Sequence, residues 1–289
     1  MTSRRRQAQC RRHREESRIV TYENILYAVE DRVATITFNR PKQHNAFSGG
    51  LIDDIVAAIA EADRDPEVRV VVVTGAGGAA FSAGYDMKES AAQADHSLAA
   101  ERARTHADLR FVLAPWDCSK PVIAMIDGYC FAGALEFAMF CDVRYCSDAS
   151  VFGSLEARFA SAVTTIMPWL IGQRSRVLVY TGDRFDAAEA HRLGLVDKVF
   201  PKAALQAEVM KVAKRMSRVS VEFLKLNKHA INLTFEAMGF RNSLQHGAEL
   251  AAVMLAQGSP EGNTFNAIRK KDGLAAALRW RDEQFAPFE

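Results

Sequence analysis

The chain is poor in the features that staple, anchor or metallate a protein. Its five cysteines (Cys10, Cys118, Cys130, Cys141 and Cys146) are odd in number, and no two have CxxC spacing. A disulfide framework and a cysteine-based zinc site are therefore excluded, and the cysteines read as small hydrophobes in a reducing compartment. No stretch reaches the ~18 uninterrupted apolar residues of a membrane span. The first residues lack the apolar run of a signal peptide, so the expected location is cytoplasmic, with no membrane partner. No Gly-Lys-Ser/Thr triplet closes a phosphate-binding loop. With 17 glycines and eight prolines in 289 residues, there is no collagen-like repeat either. What is present is ordinary for a globular body: 49% hydrophobic and 25% charged residues, in a chain long enough to bury a core without metals or disulfides.

The formal charge of +2 hides an asymmetry. Residues 1–18 hold seven of the 37 basic side chains, all arginine, and two of the 35 acidic ones. The remaining body is thus mildly acidic, and nothing in it resembles a nucleic-acid footprint. We expect residues 1–18 to be a disordered basic arm, 19–200 a core, and 201–289 a helical region that is either a separate packing unit or an oligomer interface. An anionic partner for the arm is the outlying reading.

Along the body, Ile25–Val29 and Val33–Phe38 read as strands around a polar turn, the second with period-2 alternation. Leu51, Ile52, Ile55, Val56 and Ile59 recur at helical spacing behind Ser48, a candidate cap. The apolar runs Val70–Val73 and Pro121–Ile126 suit strands buried on both faces. Polar 101–112 and apolar 131–140 read as helices, with brief strands at 143–146 and 150–152. Strands alternating with helices indicate a layered α/β fold. Beyond residue 187, helices are expected at 205–219, 221–233 and 243–255, then a break at Gly258–Ser259–Pro260 and a last helix near 273–280. Gly75–Ala80 satisfies G-x-G-x-x-A, but no helix starts there and no acid-terminated strand follows, so it is read as a turn.

Two carboxylates stand out against apolar neighbours. Glu136 lies inside Phe131–Phe140, either exposed by helical phase or buried on purpose, since burying a carboxylate costs several kcal/mol unless it is protonated or paired. Glu156 follows a short strand and a glycine turn, with Arg158 nearby as an alternative salt-bridge partner. The turns Phe81–Asp86 and Gly128–Gly133 each follow a buried strand and bring backbone N–H groups toward a helix start, the raw material of an oxyanion hole. Two such turns with two carboxylates point to acid–base chemistry through an enolate.

In this order and spacing the motifs resemble those of the crotonase (enoyl-CoA hydratase/isomerase) superfamily. They are Ile36–Ala46, Val71–Gly75, Phe81–Lys88, Lys120–Tyr129, Ala132–Glu136, Cys141–Arg144, Phe152–Glu156, Thr181–Asp183 and Gly194–Val196. The resemblance implies an α/β spiral of ββα units with a C-terminal helical region that mediates trimerisation, as a trimer or a dimer of trimers. It implies an acyl-coenzyme A thioester as substrate and no cofactor beyond the coenzyme A that the substrate carries. By position it assigns the oxyanion N–H groups to Tyr85 and Gly133 and the catalytic pair to Glu136 and Glu156. It places Ala83, Gly84, Asp86 and Met87 on one CoA-side loop and Arg40, Lys42 and Ala46 on the other, with Lys42 and Lys88 as phosphate partners or solvated surface. His44 is either a ligand contact or an exposed loop residue. The implied reaction is addition of water to a trans-2-enoyl-CoA to give a 3-hydroxyacyl-CoA. The alternatives are a Δ3,Δ2-enoyl-CoA isomerase, a thioester hydrolase or a decarboxylase. The chain departs from the pattern at Ala132, Ala134 and Leu155, and in a glycine-free segment, Ala157–Pro168, shorter than the family's. Tyr85 stands where a small residue is usual.

Overall fold

The computed structural model describes residues 22–93, 95–159 and 165–288; the basic arm and the middle of the segment after Glu156 lie outside them. Strands β1 (Ile25–Glu30) and β2 (Val33–Phe38) form an antiparallel hairpin. Its two turn residues, Asp31 and Arg32, both take positive φ, 50° and 69°, the turn geometry that matches strand twist. Helix α1 (Gly49–Arg64) is capped by Ser48, whose hydroxyl accepts the Leu51 N–H at 3.3 Å.

The chain then repeats a unit of two strands and a helix. Strands β3 (Val70–Gly75) and β4 (Ala80–Ser82) lead to α2 (Leu98–Val112), and β5 (Val122–Ile126) and β6 (Tyr129–Phe131) lead to α3 (Gly133–Met139). Strands β7 (Val143–Ser147) and β8 (Val151–Gly153) lead through short helices to β9 (Phe185–Asp186) and β10 (Lys198–Phe200). In each of these three units the first strand joins a six-stranded sheet, β1-β2-β3-β5-β7-β10, and the second joins a four-stranded sheet, β4-β6-β8-β9. Within the sheets only β1–β2 and β8–β9 pair antiparallel. This is the expected spiral of ββα units.

The apolar runs behave as two-faced strands. Val71, Val73, Val122 and Ala124 point into the larger core, against Leu51 and Ile55 of α1. Val70, Val72, Ile123 and Met125 point the other way. There they meet Val209 and Ala213 of α4 (Leu205–Met216). Burying each such side chain is worth about 1.5–3 kcal/mol relative to exposure, so α4 seals the second face of the sheet.

Four further helices follow: α5 (Val221–Ala237), α6 (Phe240–Gln257), α7 (Pro260–Asp272) and α8 (Leu274–Phe285). Helix α6 packs on α2, where Glu249 accepts from Arg102 and contacts His106, each at 2.8 Å. The sequence reading has no helix between Gly258 and Gly273, yet α7 fills that interval. Ser259 caps it by accepting the Gly262 N–H at 3.0 Å, and Pro260 sits in its first turn, where a missing N–H costs nothing. Residues 129–131 are a strand, so the helix expected from Phe131 begins two residues later.

Candidate active site

The two turns singled out in the sequence come together in space. Gly84, at φ +88°, has no room for a side chain. A Cβ there would lie 2.9 Å from the Phe131 carbonyl oxygen and 3.2 Å from the Gly133 nitrogen. The loop after β4 is thereby held against the start of α3. Tyr85 forms a parallel bridge with Phe47. That bridge uses the Gly84 carbonyl and the Asp86 N–H, so the Tyr85 N–H turns to the opposite side. Gly133 opens α3, where first-turn N–H groups have no acceptor within the helix. Ala132, just before it, takes φ 53° and ψ −128°, a conformation that ordinarily belongs to glycine.

Both turns form part of the wall of a cavity of about 780 Å³. Glu136, one turn into α3, and Glu156, in a 3₁₀ turn at Leu155–Arg158, face the same space. Burial pushes Glu136 up to about 8, with the charges of Glu156 and Asp108 adding to it. Burial likewise pushes Glu156 up to about 7. Buried carboxylates resist ionising together, so the pair holds one proton through the neutral range. Glu156 Oε2 is buried without a hydrogen-bond partner. The nearby Arg158 donates to Asp183 at 2.8 Å and to the Thr181 carbonyl at 3.0 Å.

Ten of the twelve residues assigned by position line this cavity: Lys42, Ala46, Ala83, Tyr85, Asp86, Met87, Lys88, Gly133, Glu136 and Glu156. Gly84 and Arg40 stand behind the wall. Arg40 is not among the lining residues; it bonds protein, donating to the Ala46 carbonyl at 2.6 Å and to Asp86 at 3.0 Å. Asp86 in turn accepts the Lys88 N–H at 3.0 Å, capping the short helix Met87–Ala92. Both residues are consumed in tying the two loops together. His44 lies in the wall at φ 48°, with its ring 6.2 Å from that of Tyr129.

Several lining residues were not foreseen. Glu101, Arg104, Thr105 and Asp108 of α2 line the cavity. Glu101 is almost fully buried and is held by Arg104 and by His96 at 2.8 Å. Asp108 is pushed up to about 6 by burial, against the pull of Arg104. Their spacing, three, four and seven residues from Glu101, puts them on one helical face, but the solvent side of the same helix is polar too, so the pattern alone does not mark them. Arg184, and Arg269 of α7, add cations to the wall, and Leu274 and Leu278 of α8 cover part of it.

Comparison with known proteins agrees with this geometry. Residues 28–261 match the family model described as enoyl-CoA hydratase/isomerase. A probable enoyl-CoA hydratase of Mycobacterium bovis is 32% identical, covering 92% of this chain and 99% of its own. A crotonyl-CoA hydratase of Syntrophomonas wolfei is 30% identical over the same shares. The crystal structure of an enoyl-CoA hydratase/isomerase from Xanthobacter autotrophicus Py2 superposes with a TM-score of 0.88 at 33% identity, covering 92% of this chain and 99% of that one. With the spiral, the paired turns and the two glutamates in place, this chain belongs to the enoyl-CoA hydratase/isomerase family.

Proposed function

We propose that the protein adds water across the double bond of a trans-2-enoyl-CoA to give a 3-hydroxyacyl-CoA. The observation that carries this reading is the pair Glu136 and Glu156, two carboxyls lining one cavity beside the two turns that hold Tyr85 and Gly133. The thioester carbonyl accepts from the N–H groups of Tyr85 and Gly133. Glu136, the more basic of the two, takes a proton from water as it attacks Cβ when the shared proton of the pair lies on Glu156, and Glu156 delivers that proton to Cα. Negative charge developing on the thioester oxygen meets donors already in place, and losing one such donor typically costs 10²–10³-fold in rate. Proton inventory closes within the pair, so this chemistry calls on no cofactor beyond the coenzyme A of the substrate. Lys42, Lys88, Arg184 and Arg269 supply positive charge for its phosphates.

Exposed apolar side chains support a homo-oligomer, a trimer or a dimer of trimers: Phe223 and Leu226 on α5, and Leu250 and Met254 on α6, are 47–63% exposed. The cysteines fit a cytoplasmic setting, since Cys118, Cys130, Cys141 and Cys146 are all buried free thiols. The test is hydration of crotonyl-CoA, followed by loss of the enoyl thioester absorbance, in the wild type and in Glu136→Gln and Glu156→Gln. Wild-type hydration lost in both variants is expected. Absent hydration with a 3-enoyl-CoA isomerisation that survives Glu136→Gln overturns the reading.

A further inference from the structure

The two glutamates are held in place differently. Helix α3, which carries Glu136, is pinned at its start within the core. The Tyr85 ring covers Gly133 there so closely that a Cβ would lie 2.4 Å from Tyr85 Cε2. Glu156 has no such support. No side chain among the described residues donates to its carboxyl, and Oε2 is buried without a partner. A reacting group misplaced by about 1 Å can cost about 100-fold in rate, so the Glu156 carboxyl must be aimed through the backbone of its 3₁₀ turn, Leu155–Arg158. Phe159 closes that turn, its N–H donating to the Glu156 carbonyl at 3.1 Å. Whatever fixes Phe159 therefore also fixes Glu156.

The side chains that do so come from more than 100 residues further on, in the hairpin α7–α8. Helix α7 has 13 residues and buries one of them, Phe265. Phe265 stacks on Phe159 with ring centroids 4.3 Å apart and planes at 20°. The first turn of α7 comes so near that a Cβ on Gly262 would lie 2.9 Å from the Phe159 carbonyl oxygen. Helix α8 buries Arg281 beside Ala277. The Arg281 guanidinium is bonded to Asp282 at 2.8 Å and lies 5.6 Å from the centre of the Phe159 ring. At the end of α8, the Phe285 ring sits 4.2 Å from the Arg158 guanidinium. Stacking and cation–π attraction add to the burial of these rings. The hairpin could cover the cavity with Leu274 and Leu278 alone; Phe265 is not among the lining residues, whereas Phe159 is.

We propose that Phe265 and Arg281 are positioning residues that aim the Glu156 carboxyl through Phe159. The core sets Glu136, and the C-terminal hairpin sets Glu156. The inference rests on the hydratase reading, which gives Glu156 the proton that Cα receives.

The test is a double-mutant cycle on the full-length protein. Phe265→Leu keeps an apolar side chain but removes the stacked ring. Crotonyl-CoA hydration is measured for the wild type, Phe265→Leu, Glu156→Gln and the double variant. In the wild-type background Phe265→Leu should lower kcat about 5-fold or more while KM moves less than about 2-fold. In the Glu156→Gln background, where no acid remains to be aimed, the same substitution should cost less than about 2-fold. Arg281→Met, taken through the same cycle, should show the same loss of effect, and it decides the question if Phe265→Leu does not fold. An equal loss in both backgrounds, or none in the wild-type background, makes these contacts packing alone and overturns the proposal while the hydratase reading stands. No hydration by the wild type overturns both.

Discussion

Arg40 and Asp86 meet at 3.0 Å across two loops that are 46 residues apart in the chain. The same Arg40 nitrogen holds the Ala46 carbonyl, and Asp86 directly follows the oxyanion candidate Tyr85. The pair is a strut that sets the height of the Tyr85 N–H over the cavity. Arg40→Met should therefore lower kcat/KM for crotonyl-CoA by about 10-fold or more while destabilising the fold by only about 1–3 kcal/mol, the range for charged hydrogen bonds. Steady-state kinetics and urea unfolding on one preparation check both numbers. A variant that unfolds more easily but turns over normally would show the strut to be structural only.

The shared proton of Glu136 and Glu156 predicts a bell-shaped pH dependence of kcat/KM. With the two carboxyls raised to about 8 and about 7, the singly protonated pair is most populated between those values. Activity should rise as the pH approaches 7 and fall above 8, and the two limbs belong to the pair rather than to either residue. A profile flat from pH 6 to 9 would contradict this.

The same two groups make stability pH-dependent. Their folded values lie above the ordinary carboxylate value of 4.5, so the folded state holds protons that the unfolded chain gives up. Their contribution is complete below about pH 4.5 and is lost as the pH rises through about 7 and 8. The neutral isosteres Glu136→Gln and Glu156→Gln should thus melt higher than the wild type at pH 9 and near it at pH 5, while hydrating about 10²–10⁴-fold more slowly. Thermal melts at the two pH values, beside the rates, are the measurement.

Ala132 stores backbone strain at φ 53° and ψ −128°. Ala132→Gly removes the Cβ from that conformation and should stabilise the fold by about 1 kcal/mol, strain relief outweighing the greater freedom of glycine in the unfolded chain. A higher urea midpoint with an unchanged slope is the expected result.

Strands β2, β3 and β5 were legible because burial leaves a direct mark on composition: alternation in one, unbroken β-branched or apolar runs in the others. The two turns and the two glutamates were legible because small residues and lone carboxylates are conspicuous in apolar surroundings. Helix α7 was not, since its sequence is mostly polar, carries Gly262, and buries only Phe265. Asp108 was hidden for a related reason. On α2, polar residues line both the cavity and the solvent, so no periodicity separates the two. The partnership of Arg40 with Asp86 depends on the fold bringing two loops together, which local pattern does not encode.

The ring of Tyr85 occupies the volume that a Cβ on Gly133 would need, so the two oxyanion positions are not independent in what they can carry. A side chain at 133 demands a smaller residue at 85, and a large residue at 85 demands glycine at 133. Substitutions at these two sites must therefore be accepted as a pair, and a library that varies one of them alone would search a space the backbone has already closed.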